Sequence, residues 1–67
     1  MIRITVNGQL LELEGPISLP EFLEQRGISR AMIAIDHNGK VLFRDEYDAS
    51  RIEDGDTLEI VRMVGGG

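Results

Sequence analysis

The chain has 67 residues, 12 of them acidic and 7 basic, for a net charge of −5, a balance that argues against a nucleic-acid partner. A chain this short buries only about 60% of the surface its unfolded form exposes. That implies one small domain without space beside its core for a ligand cleft of roughly 300–1,000 Å³, and so not an independent enzyme. Cysteine is absent, which excludes disulfides, thiolate metal sites and a side-chain thiol able to carry sulfur.

Ile2, Ile4 and Val6 alternate with Arg3 and Thr5, the period of a half-buried strand rather than the continuous apolar core of a signal peptide. No later stretch approaches the roughly 18 apolar residues of a membrane span, so a cytoplasmic protein is expected, with no membrane partner. Asn7-Gly8 supplies a type I′ hairpin turn, a role that explains the pair fully. A second strand runs through Leu11 and Leu13 and breaks at Gly15-Pro16. Ser18 and Glu21 have capping-box spacing, and Ile17 and Phe22 the spacing of a hydrophobic staple. Leu19, Phe22 and Leu23 form one apolar stripe on a short helix, which Gly27 ends in a left-handed cap.

Met32 to Ile35 reads as an apolar strand internal to a sheet. Asp36-His37-Asn38-Gly39 carries a second Asn-Gly turn, from which Val41-Leu42-Phe43 returns. His37, without histidine or cysteine companions, reads as a surface turn residue. The segment from Arg44 to Asp56 is dense in carboxylates without calcium-loop spacing. It reads as a solvated loop anchored by Ile52, with Tyr47 as a second anchor. Glu53-Asp54-Gly55-Asp56 is a turn by composition, and Thr57 to Val61 makes the last strand. The order β-β-α-β-β-β predicts an α+β fold, a mixed sheet with one helix packed across one face. Gly65-Gly66-Gly67 then follows an apolar strand, as an extended tail that a narrow slot in a partner could accept.

With that tail, Ile4-Thr5-Val6-Asn7-Gly8, Leu19 to Leu23, Ala34-Ile35-Asp36 and the stretch from Ile52 to Ile60 resemble the ThiS-like sulfur carrier family over the whole chain. The resemblance implies a ubiquitin-like β-grasp domain at 1–62 and a flexible reactive tail at 63–67. It implies a protein cosubstrate, monomeric alone, with no cofactor or metal of its own. Its partners would be a ThiF/MoeB-like adenylyltransferase, a sulfurtransferase and a ThiG-like thiazole synthase. The adenylyltransferase would activate the terminal carboxylate of Gly67, and sulfur would displace AMP to leave a thiocarboxylate for thiamine thiazole synthesis. Gly65, Gly66, Val64 and Met63 would occupy the partner's slot. The family usually ends in two glycines and this chain in three, so Gly66 is the alternative reacting terminus. A carrier for molybdopterin or cysteine biosynthesis, a ubiquitin-like modifier, and a plain interaction domain with an inert tail are the other readings.

Overall fold

The computed structural model describes residues 1–63. Strands β1 (Ile2–Val6), β2 (Gln9–Leu13) and the two-residue β3 (Ile17–Ser18) lead into helix α1 (Leu19–Gln25). A 3₁₀ turn at Arg30–Met32 precedes β4 (Ile33–His37) and β5 (Lys40–Leu42). A second 3₁₀ turn at Arg44–Ala49 leads to β6 (Arg51–Ile52) and β7 (Thr57–Arg62). The main sheet has the order β2-β1-β7-β4-β5, and β3 and β6 make a separate two-stranded pair. β7 lies at the centre, parallel to β1 and antiparallel to β4.

Both hairpins turn where expected. Asn7, Gly8, Asn38 and Gly39 all have positive φ, the backbone a type I′ turn requires and one that asparagine and glycine adopt most readily. Both asparagines also do something the turn alone does not ask of them. Asn7 Oδ1 accepts from the Ile60 N–H at 2.8 Å and its Nδ2 donates to the Ile60 carbonyl at 3.2 Å. The amide thus stands in for a strand residue and continues the β1–β7 ladder beyond Val6 and Leu58. Asn38 Oδ1 likewise accepts from the Thr57 N–H at 2.8 Å. The hairpin role is therefore only part of the reason for Asn7: the turn residues also hold the central strand.

The helix begins as its capping pattern predicts, with Ser18 Oγ accepting from the Glu21 N–H at 3.2 Å. Only this half of the box forms. At the other end Gly27 has φ +69°. The Ile28 N–H reaches the Leu23 carbonyl at 2.9 Å and the Gly27 N–H the Glu24 carbonyl at 3.1 Å. Those two bonds are a Schellman motif, which satisfies carbonyls the helix end would leave bare. Leu19, Phe22 and Leu23 face the sheet and are buried against Ile4, Ile35, Ile52 and Leu58.

The stretch from Arg44 to Asp56 is not the solvated loop its composition suggests. Tyr47 and Ile52 are 2% and 0% exposed, so the segment wraps across the core and closes it beside α1. Its final turn is stapled to β1: Asp54 Oδ1 accepts from the Arg3 N–H at 2.8 Å, and the Gly55 N–H donates to the Arg3 carbonyl at 2.7 Å.

His37 is likewise no free turn residue. It ends β4, and its Nε2 lies 2.8 Å from Asp56 Oδ2 with both side chains mostly buried. Burial alone pushes the Asp56 carboxyl pKa up. That effect is outweighed by hydrogen bonds from the Glu53 N–H, from His37 and from Asn38, and by the histidine's charge, so Asp56 titrates below the ordinary value of 3.8. A carboxyl depressed in the folded state contributes stability that is present above its unfolded pKa and lost as pH falls through the folded one. We expect Asp56→Asn to lower the melting temperature at neutral pH and to flatten its fall below about pH 4. An unchanged acid limb in a thermal-melt series would contradict this.

Candidate functional site

The tail's root is set by the centre of the sheet. β7 ends at Arg62, opposite Ile33, and the Met63 N–H donates to the Met32 carbonyl at 2.7 Å. Met63 is thus fixed by its backbone while its side chain stays about half exposed. Val64, Gly65, Gly66 and Gly67, the other residues assigned to the tail, lie outside the described residues.

Alternation along the strands sends Leu58 and Ile60 toward the helix and Val61 to the opposite face. Val61 pairs with Ala34. Phe43 follows β5 in extended conformation, φ −88° and ψ 159°, and so continues the β4–β5 register beside Ala34. The result is a row of Val61, Ala34 and Phe43 across the open face, with Val41 next to it and Met32 and Met63 at its end. Val61 is 60% and Phe43 70% exposed. Large apolar side chains gathered on an open face are the mark of a docking surface, and methionine's flexible thioether adapts to more than one partner.

Sequence reasoning singled out Met63 but not Phe43, Val61 or Met32. An apolar residue on the polar phase of the last strand was the available signal for Val61. Phe43 and Met32 join it only through register.

Arg62 stands at the tail's root. Arg44 reaches the Ala31 carbonyl at 2.8 Å, and Arg30 lies over the Tyr47 ring at 5.7 Å while pairing with Asp48 at 3.2 Å. At the opposite end of the molecule Glu12, Glu14 and Glu21 border a groove beside α1. The cleft nearest the tail, lined by Val6, Asn7, Ile28, Ile33, Ile60 and Arg62, holds about 180 Å³, less than a ligand pocket needs. Among the described residues there is no cluster of metal-binding side chains, and no helix is long and apolar enough to cross a membrane.

A mixed sheet folded around one helix, with parallel first and last strands at its centre and the chain leaving from the last, defines a ubiquitin-like β-grasp protein. The chain belongs to the ThiS family, whose sequence model matches residues 4–67. The crystal structure of thiamine biosynthesis protein ThiS from Geobacter metallireducens superposes with a TM-score of 0.85 at 32% identity, covering 98% of this chain and 100% of that one. A solution structure of a thiamine biosynthesis protein from the same organism gives 0.78 at 32% identity, over 98% and 88% of the two chains. A Porphyra purpurea protein known as ycf40 is 33% identical over 66 residues, 98% of this chain and 93% of its own. Thiazole synthase of Paramagnetospirillum magneticum is 26% identical over 66 residues, which are 98% of this chain and 20% of the enzyme. The chain thus spans about a fifth of the length of that relative.

Proposed function

We propose that this protein is a sulfur carrier for thiamine thiazole synthesis, a protein cosubstrate whose terminal Gly67 carboxylate is adenylated and converted to a thiocarboxylate. Family membership over residues 4–67 carries this reading, supported by the chain's similarity to thiazole synthase. Residues 1–62 act as the docking body and 63–67 as the reactive tail, with Met63, Val64, Gly65 and Gly66 in the partner's slot.

The chemistry asks little of the carrier. A carboxylate accepts a nucleophile poorly until it has a good leaving group, and covalent activation divides one hard step into two easier ones. An adenylyltransferase joins the carboxylate to the α-phosphate of ATP, releasing pyrophosphate. The terminal sulfur of a persulfide, supplied by a sulfurtransferase, attacks the acyl carbon, and AMP leaves with the bonding electrons. A second thiol then cleaves the sulfur–sulfur bond and frees the thiocarboxylate, which thiazole synthase consumes. From Arg62 to Gly67 an extended tail reaches about 20 Å, enough to bring the carboxylate into a nucleotide site while Val61 and Phe43 rest on the partner's surface.

Intact mass after incubation with ATP, Mg²⁺, a cognate adenylyltransferase and a persulfide source tests this reading. A shift equal to exchange of one oxygen for sulfur supports it. An adenylate that proceeds to amide bonds with lysines indicates a modifier instead, and no change with any activating enzyme indicates a binding domain. The docking face has its own test. Phe43→Glu or Val61→Glu should raise the apparent KM for the adenylyltransferase at least about tenfold, a loss of about 1.4 kcal/mol. Because both side chains are exposed, stability should move by no more than about 0.5 kcal/mol. An unchanged KM would exclude this face.

A further inference from the structure

The edge of the sheet farthest along from β5 takes no part in the tail's chemistry. Among the described residues β2 pairs on one side only, with β1. The two-residue Asn7-Gly8 turn makes Val6 and Gln9 a hydrogen-bonded pair, and antiparallel pairs alternate between bonded and non-bonded. Gln9, Leu11 and Leu13 therefore bond inward, while Leu10 and Glu12 present their N–H and C=O groups outward. Natural edges are commonly blunted by lysine, proline or a bulge. Gln9-Leu10-Leu11-Glu12-Leu13 has no lysine or proline, and its register with β1 runs without interruption. Leu10 is also 66% exposed.

Beside this edge, between β2 and α1, runs a groove of about 400 Å³ lined by Glu12, Leu13, Glu14, Ile17, Glu21 and Gln25, among others. Glu12 pairs with Arg3 at 3.3 Å. Among the described residues Glu14 and Glu21 make no ion pair, so two uncompensated carboxylates flank the partly buried Leu13 and Ile17.

We propose that the β2 edge and this groove form a second docking site, which takes an extended basic segment of a partner protein as an added strand. The segment's backbone bonds Leu10 and Glu12. Its alternate side chains fall on the groove side, where their aliphatic stems pack on Leu13 and Ile17 and their lysine or arginine ends reach Glu14 and Glu21. A second copy of this chain suits the edge badly, since it brings carboxylates against carboxylates on bodies of net charge −5. The placement gives the site a use. β2 runs antiparallel to β1, so Glu12 and Leu13 lie where β1 begins, while β7, parallel to β1, ends at the other pole. A partner held at β2 leaves the tail free to enter a different protein.

The test is an amide-shift titration of the isotope-labelled full chain with a library of acetylated heptapeptides, lysine or arginine alternating with valine, isoleucine or leucine. Saturable shifts are expected at Leu10, Glu12, Glu14 and the first turn of α1. Methylating the peptide's alternate backbone nitrogens should abolish them, and glutamate in place of its basic residues should do the same. Glu14→Gln combined with Glu21→Gln should weaken binding about tenfold. The peptide variants leave the protein untouched, so a folding defect cannot mimic these losses. Absence of saturation for every member at millimolar concentration overturns the proposal. So do shifts centred on Val61 and Phe43, or equal binding of the methylated peptides, which reduces the effect to charge attraction.

Discussion

Deleting Gly66 and Gly67 is expected to abolish thiocarboxylate formation while shifting the melting temperature by less than about 4 °C. The two halves of this expectation have separate causes. The core runs from Ile2 to Leu58, so the deletion leaves every core residue in place. The deletion shortens the tail's reach by about 7 Å, whereas nucleophile and acyl carbon must meet within about 3–3.5 Å, and a 1 Å misplacement already costs about 100-fold. A variant lacking Gly67 alone falls short by about 3.5 Å and separates the two candidate termini. If it keeps the full rate, the reacting carboxylate belongs to Gly66. A truncated chain that still gains sulfur mass at the full rate would remove the reacting carboxylate from Gly66 and Gly67, and one that unfolds would leave the tail with a structural role.

What the sequence discloses and what it hides divide along one line. The strand alternation through Ile2, Ile4 and Val6, the Ser18 cap, the Gly27 terminus and both Asn-Gly turns are local patterns, and each forms where its pattern lies. The misread features depend on residues far apart in the chain. Asn7 bonds Ile60, and Arg3 bonds Asp54, partners more than fifty residues away that no window of periodicity includes. β3 and β6 are two residues each, too short to show any period, and their pairing is what turns a charge-rich stretch into a core-closing strap. His37 reads as a turn histidine because its partner, Asp56, arrives from the turn before β7, 19 residues on. The candidate site shows the same split. The glycine tail is plain in the sequence, but the apolar row of Val61, Ala34 and Phe43 exists only once β7, β4 and β5 are in register.

On the proposed reading, the two ends of the molecule give a carrier of this size separate surfaces for successive partners. The tail's root and the apolar face lie at one end of the sheet, and the free edge with the carboxylates of Glu14 and Glu21 at the other. Surfaces of different chemistry at the two ends select different partners. Neither end needs a cavity, which a core this small could not enclose.

Phe22→Ala should cost about 3–5 kcal/mol, the largest effect expected inside the body. Phe22 is 1% exposed, projects from α1 into the middle of the sheet, and packs in the cluster that includes Ile35, Ile52 and Tyr47. Truncation leaves a void that a single short helix can fill only by sliding across the sheet. It is held against that movement by the Ser18 cap at one end and by the Ile28–Leu23 bond at the other. Domains of this length have total stabilities of roughly 3–10 kcal/mol, and each kilocalorie shifts melting by about 4–8 °C. The variant should therefore melt at least about 12 °C lower, or be largely unfolded at room temperature, in a urea or thermal series followed by circular dichroism. A cost below about 1 kcal/mol would mean that the strap from Arg44 to Ile52, rather than the helix, closes the core. Sulfur loading in this variant should fall with the folded fraction alone, because the tail is untouched. Loss through the body and loss through the glycines are thus distinguishable by measuring melting and mass in the same samples.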